Sequence, residues 1–78
     1  MREKYVEERF PRYYIFGTYK NGRVDVSDGK QDVAVSVTVE FADEMIAKRN
    51  IVVDMLVKLA LELDRADPIA FQRIWYAK

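Results

Sequence analysis

Cysteine and histidine are both missing from this 78-residue chain. Without cysteine there is no disulfide framework and no thiol chemistry, which suits a reducing compartment. Without histidine the commonest general base is gone, and most nucleophilic and acid–base arrangements cannot be assembled. Serine occurs only as Ser27 and Ser36, neither in the sharp strand-to-helix context of an activated nucleophile. Three glycines, all accounted for by strand or turn geometry, leave no glycine-rich phosphate loop. Asp25, Asp28 and Asp32 cluster around Gly29, but their spacing does not match a calcium loop, and aspartate is common in hairpin turns. No catalytic set, cofactor or metal is expected, and the chain reads as a non-enzyme.

Neither sign of charge is in excess. Thirteen basic residues face thirteen acidic ones, which argues against an electrostatic nucleic-acid binder and equally against an acidic DNA mimic. The longest apolar run is far too short for a membrane span. The opening segment, MREKYVEERF, is charged throughout and lacks the apolar core of a signal peptide. A cytoplasmic protein with no membrane partner is the expectation.

Half of the residues are hydrophobic and a third are charged, a globular composition and not a disordered one. The length allows one domain, near the lower limit of what a single core stabilises unaided. Four segments divide it: an N-terminal arm (1–11), a β-meander (12–38), a central helix (39–64) and a C-terminal helix (68–77).

The central helix organises the rest. At helical period Phe41, Ala42, Met45, Ile46, Val52, Val53, Leu56, Leu59, Ala60 and Leu63 fall on one broad face. Asp54, Lys58 and Glu62 form a narrow polar line at i, i+4, i+8. Met55 on one flank, and Val57 and Leu61 on the other, stay apolar outside that face, so the helix must be covered from more than one direction. As one piece it would run roughly 40 Å, against a radius of gyration of about 11–12 Å for a compact domain of this size. Either it overhangs its domain or it is interrupted. Arg49 falls mid-face and is followed by Asn50, a poor helix-interior residue. The pair predicts a kink or break at 49–50, or an arginine that snorkels outward. The sharper alternative is a guanidinium held for a carboxylate on a partner.

Before the helix the period is two. Tyr13, Ile15 and Tyr19 alternate with Tyr14, Phe16 and Lys20, and Asn21-Gly22 predicts a two-residue type I′ hairpin. That loop would pair Tyr19 with Val24 and Gly17 with Val26, placing Tyr13, Ile15, Tyr19, Val24 and Val26 on a shared core face. A four-residue loop through Gln31 leads to a third strand, with Val33, Val35, Val37 and Val39 inward and Ala34, Ser36 and Thr38 outward. This loop also keeps Asp25 from facing Asp32. After the central helix, Asp67-Pro68 is a good cap and first-turn pair. The helix that follows carries Ala70, Phe71, Ile74 and Trp75 on one side. The expected fold is α+β: a three-stranded antiparallel meander packed on one long helix, kinked or not, plus a short C-terminal helix.

Two surfaces are candidates for function. On the outer face of the sheet Tyr14, Phe16, Lys20 and Arg23 lie together, a partner-binding set to which Arg49 is added. Aromatics interleaved with cations on a sheet can also stack single-stranded bases; an N-terminal arm folded over them is the third option. On the central helix Met55, Val57 and Leu61 are the candidates for self-association, since one short lid cannot reach all of so long a rod.

The run Ala42-Asp43-Glu44-Met45-Ile46-Ala47, followed by Asn50 and Val53, resembles a helix of many short phage and prophage proteins, whose pattern reads roughly A-[ND]-A-x-L-I-A-A-A-P-x-L-L. Aligned with one residue fewer between Asp43 and Met45 than the pattern has, Ala42, Asp43, Ile46 and Ala47 match and Met45 is conservative; Asn50 stands at the proline and Lys48-Arg49 replaces small residues. The resemblance covers about a fifth of the chain. It implies a phage accessory protein, a group that includes inhibitors of host defence, and brings no catalytic residues. The functional expectation is a non-enzymatic interaction module of mobile-element type, homodimeric, binding a host protein sterically in an anti-CRISPR-like manner. The alternative is a single-stranded nucleic-acid binder using the sheet.

Overall fold

The computed structural model describes residues 2–75 and has the α+β architecture. Helix α1 (Arg2–Arg9) leads into an antiparallel sheet, β1 (Tyr14–Thr18), β2 (Val24–Ser27) and β3 (Asp32–Val37), in the order β1-β2-β3. Helix α2 (Val39–Ala66) and helix α3 (Pro68–Trp75) complete the chain. Residues 76 and 77, expected to extend α3, lie outside the described residues.

Thr38 starts α2: it stays extended (φ −68°, ψ 156°) and its hydroxyl accepts the Phe41 amide at 3.2 Å, satisfying one of the orphan donors of a helix start. At the other end Asp67 donates its amide to Leu63 O at 2.7 Å, closing α2, while its carboxylate accepts the Ala70 amide at 3.1 Å, opening α3. Between these caps α2 runs unbroken for 28 residues, about 42 Å at 1.5 Å per residue. The expected break at Arg49–Asn50 does not occur. The molecule is accordingly long, 50 × 22 × 15 Å, with a radius of gyration of 15.5 Å.

The reason for the missing break is the connection from α1 to β1, which crosses α2 at its middle. Arg49 donates from Nε to Pro11 O at 2.9 Å and lays its guanidinium over the Tyr13 ring (4.6 Å) and beside Phe10 (6.0 Å). Asn50 accepts from Arg12 Nη1 at 3.2 Å, and Asp54 accepts from Arg12 Nη2 at 2.7 Å. Two residues that weaken a helix read in isolation are here the points at which residues 10–13 are fastened to it.

This crossing separates two small cores. Toward the start of α2, Val24, Val26 and Ala42 are buried, with Tyr13, Val33, Ala34, Val37 and Ile46 packed around them. Toward its end, Val6, Ala60 and Phe71 are buried among Leu56, Val57, Leu63 and Trp75. The sheet covers one half of the rod; α1 and α3 cover the other. The N-terminal segment is therefore a helix docked on α2 and does not cover the sheet's outer face.

Both hairpins depart from simple alternation. Tyr19 N–H bonds to Arg23 O (2.8 Å) and Gly22 N–H to Tyr19 O (3.0 Å), which makes a three-residue loop with Gly22 at φ +85°. This is a type I turn closed by a left-handed glycine, and not the expected type I′. The register becomes Thr18↔Val24, Gly17↔Asp25 and Ile15↔Val26, with an irregularity at Phe16. Ile15 and Tyr19, assigned to the core by alternation, remain 39% and 43% exposed, because α2 packs over β2 and β3 and β1 is left at the edge.

The second loop has the expected four residues, Ser27 pairing with Asp32. Its glycine, Gly29, sits at φ +94°. The acidic cluster here is turn chemistry: Asp28 Oδ1 accepts the Lys30 and Gln31 amides at 2.8 and 2.9 Å, which holds its carboxyl below the usual range. β3 then shifts register twice, reaching Val26↔Ala34 and Val24↔Val37. These shifts overturn the simple valine alternation. Val33 and Val37 pack inward and Ala34 joins them, whereas Val35 points out and Val39 is exposed in the first turn of α2.

Candidate functional site

The buried side of α2 is a stripe at alternating spacings of four and three: Ala42, Ile46, Arg49, Val53, Leu56, Ala60 and Leu63. A second stripe, one residue earlier at each step, runs beside it: Phe41, Met45, Lys48, Val52, Met55 and Leu59. The broad apolar face expected from periodicity is in fact these two, and only the first is covered. Phe41, Val52, Met55 and Leu59 are 46–59% exposed, and neighbouring Ile51 is 60% exposed. Spacing of 3.5 residues on average is the seam of a coiled coil. Lys48, the one cation within the stripe, pairs with Glu44 at 2.9 Å, and this ion pair lowers the Glu44 carboxyl below its ordinary range.

Phe41, Glu44, Met45 and Lys48 surround a shallow depression. Residues at i, i+3, i+4 and i+7 of one helix are the four that form the socket for an inserted side chain in knobs-into-holes packing. The outer stripe thus offers both projecting side chains and a receptacle for one.

Of the three residues expected to serve self-association, Met55 lies on this outer stripe, 59% exposed. Val57 is turned inward against the Val6–Ala60–Phe71 core, and Leu61 is half-buried. Phe41, Met45, Val52 and Leu59 are the additional members that whole-helix periodicity merged with the core. The one-residue offset between two heptad patterns is the signal that separates them.

The second surface is the outer side of the sheet. Tyr14 and Phe16 meet edge-on, ring centroids 6.5 Å apart at 66°, and Phe16 is 69% exposed. Lys20 is exposed in the first loop. Arg23, also exposed, spends its guanidinium on Ser36 O at 2.5 Å. Arg12 is bound to Asp54 and sits 3.5 Å from Glu7, an arrangement that raises its already high pKa, chiefly through the Asp54 hydrogen bond. Arg49 does not join this set; it is committed to Pro11, Tyr13 and Phe10. The sheet therefore carries an exposed aromatic pair whose neighbouring arginines are already engaged within the chain.

Among the described residues no group of three or more metal-ligating acidic side chains comes together, and no helix is long and apolar enough to cross a membrane. No family model matches the chain, and neither a curated protein nor a solved structure does.

Proposed function

We propose that this chain is a non-enzymatic protein-interaction module that self-associates through α2 and acts by sterically occupying a protein partner. One observation carries the reading: a row of exposed apolar side chains, Phe41, Val52, Met55 and Leu59, follows a long helix along a side that none of the described residues covers. Large contiguous apolar patches on small proteins mark association surfaces. The finer reading, a cytoplasmic mobile-element protein that blocks a host protein such as a defence complex, draws its support from the helix pattern beginning at Ala42. In the fold Ala42 and Ile46 of that pattern serve packing against the sheet. Tyr14 and Phe16, exposed and unobstructed, are the surface offered to the host partner.

Size-exclusion chromatography with light scattering tests self-association, and a monomer at high micromolar concentration defeats it. Plaque formation on hosts with and without a defence system tests the finer reading; equal plating with and without the protein, across several systems, defeats that part alone.

The exposed Tyr14–Phe16 pair favours one competing reading, a platform for stacking single-stranded bases. A salt-dependent shift of labelled oligonucleotides that is lost in Phe16→Ala would support it. No shift at low salt removes it.

A further inference from the structure

We infer that the partner of the outer α2 stripe is a second copy of this chain lying antiparallel, with Met45 of each copy opposite Met55 of the other and the two-fold axis beside Ile51. This deepens the self-association proposed above by stating orientation and register.

Three observations converge on it. The first is geometry. The stripe keeps a four–three spacing from Phe41 to Leu59, so it stays in line with a second helix that repeats the same pattern. The depression framed by Phe41, Glu44, Met45 and Lys48 is a ready socket, and Met55 is an exposed side chain of the type and position to enter it. In that register Phe41 lies opposite Leu59 of the second copy and Val52 opposite Lys48, whose aliphatic stem covers apolar surface while its ammonium reaches water. Ile51 meets Ile51. Each exposed apolar member of the stripe then gains a counterpart.

The second is charge order. Glu44, Lys48 and Lys58 border the seam. Parallel in-register pairing would set Lys48, a seam residue, against Lys48 of the second copy, a like-charge contact that is unfavourable at helix-pairing distance. Antiparallel pairing brings Glu44 to Lys58 of the second copy and leaves no cation facing a cation.

The third is area. The chain exposes 5699 Å², whereas a compact monomer of 9.2 kDa is expected to expose about 4,900 Å². The surplus is about 800 Å², close to what one partner contributes to a standard interface. Since the sheet, α1 and α3 all pack on the other side of α2, none of the described residues obstructs a second helix along the stripe.

The absence of cysteine makes the test clean, because each introduced thiol is unique. Ile51→Cys, Leu59→Cys, Met45→Cys and Met55→Cys are made in the full chain, their helical content is checked by circular dichroism, and each is treated with a short thiol-bridging reagent. Expected is a covalent dimer from Ile51→Cys, a covalent heterodimer from mixed Met45→Cys and Met55→Cys chains, and none from Leu59→Cys, whose two copies would stand about 27 Å apart along the axis. Cross-linking of Leu59→Cys without Ile51→Cys overturns the antiparallel register while leaving self-association standing. A monomer at high micromolar concentration by light scattering overturns both.

Discussion

The carboxylate of Asp25 on β2 lies 2.9 Å from the backbone nitrogen of Ser36 on β3 and accepts its hydrogen. Ser36 has φ +54°, the only positive value at a non-glycine among the described residues. Its carbonyl is taken by Arg23, so both backbone polar groups of this bulged residue are satisfied by side chains, one on β2 and one just before it, instead of by the ladder. Asp25→Ala should cost about 1–2 kcal/mol by urea denaturation, the penalty for orphaning a partly buried amide. Full stability in that variant would show that the bulge holds without the carboxylate.

Ser36→Gly should go the other way. A side chain in the left-handed region costs roughly 1–2 kcal/mol, partly offset by the greater unfolded freedom of glycine. A gain of up to about 1 kcal/mol is expected from the same denaturation experiment. A loss would mean that the serine side chain contributes more than its strained backbone takes away.

Arg49→Lys should destabilise the protein by about 1 kcal/mol and Arg49→Ala by about 2 kcal/mol, since lysine keeps the charge but loses the planar stacking and the Nε donor. The single tryptophan, Trp75, packs against Phe10 (6.2 Å between centroids) and Phe71, so its fluorescence reports the crossing segment as it loosens. Unchanged stability in Arg49→Ala would return this arginine to the list of partner contacts.

The two stripes of α2 should respond oppositely to substitution. Leu59→Glu and Met55→Glu, on the uncovered side, should abolish dimerisation at matched concentration with helical content unchanged. Ala60→Leu, one position from Leu59 but buried, should cost about 1–3 kcal/mol by overpacking. Chromatography and thermal melting separate the two effects, and equal melting losses on both sides would contradict the division.

Three titrations set the expected pH dependence. Asp28 and Glu44 are held below their ordinary values of 3.8 and 4.5, by loop amides and by Lys48 respectively. Their contribution is fully present above those values and disappears as pH falls through the lowered folded values. Tyr19 donates its hydroxyl to Asp25 at 3.0 Å, which raises its pKa above 10.0. That contribution is present below 10.0 and disappears as pH rises through the raised value. Tyrosinate absorbance, compared with Tyr19→Phe, should show this phenol titrating late; in Asp25→Ala it should return toward its ordinary range.

Much of the architecture was legible because it rests on local chemistry. Asp67 caps the last helix, Asp28 and Gly29 shape a four-residue loop, and Phe71 recurs at the spacing that buries it; Thr38, by contrast, reads as an outward strand residue and is in fact the cap of α2. The misread parts depend on contacts distant in sequence. Asn50 looked like a helix breaker because its acceptor role is filled by Arg12, thirty-eight residues away. Alternation puts Val35 inward, but the bulge at Ser36, held by side-chain bonds from Asp25 and Arg23, shifts the phase of β3; Ile15 keeps the face of its partner Val26 and stays exposed because β1 lies at the edge that α2 does not cover. On α2 the periodicity showed how much surface was apolar but merged a packed stripe with an open one. The sheet aromatics were placed correctly on an outer face, yet the engagement of Arg23 and Arg49 inside the chain is a tertiary fact that their spacing does not carry.

Arg9 reaches across to Ile74 O at 2.9 Å and stacks on Trp75, tying the first helix to the last. The end of α1 is thereby bound to the last turn of α3, and Phe10, which follows α1, lies between Trp75 and Arg49. A substitution that loosens the crossing segment will therefore loosen the last helix as well, although Arg9 and Ile74 are sixty-five residues apart in sequence.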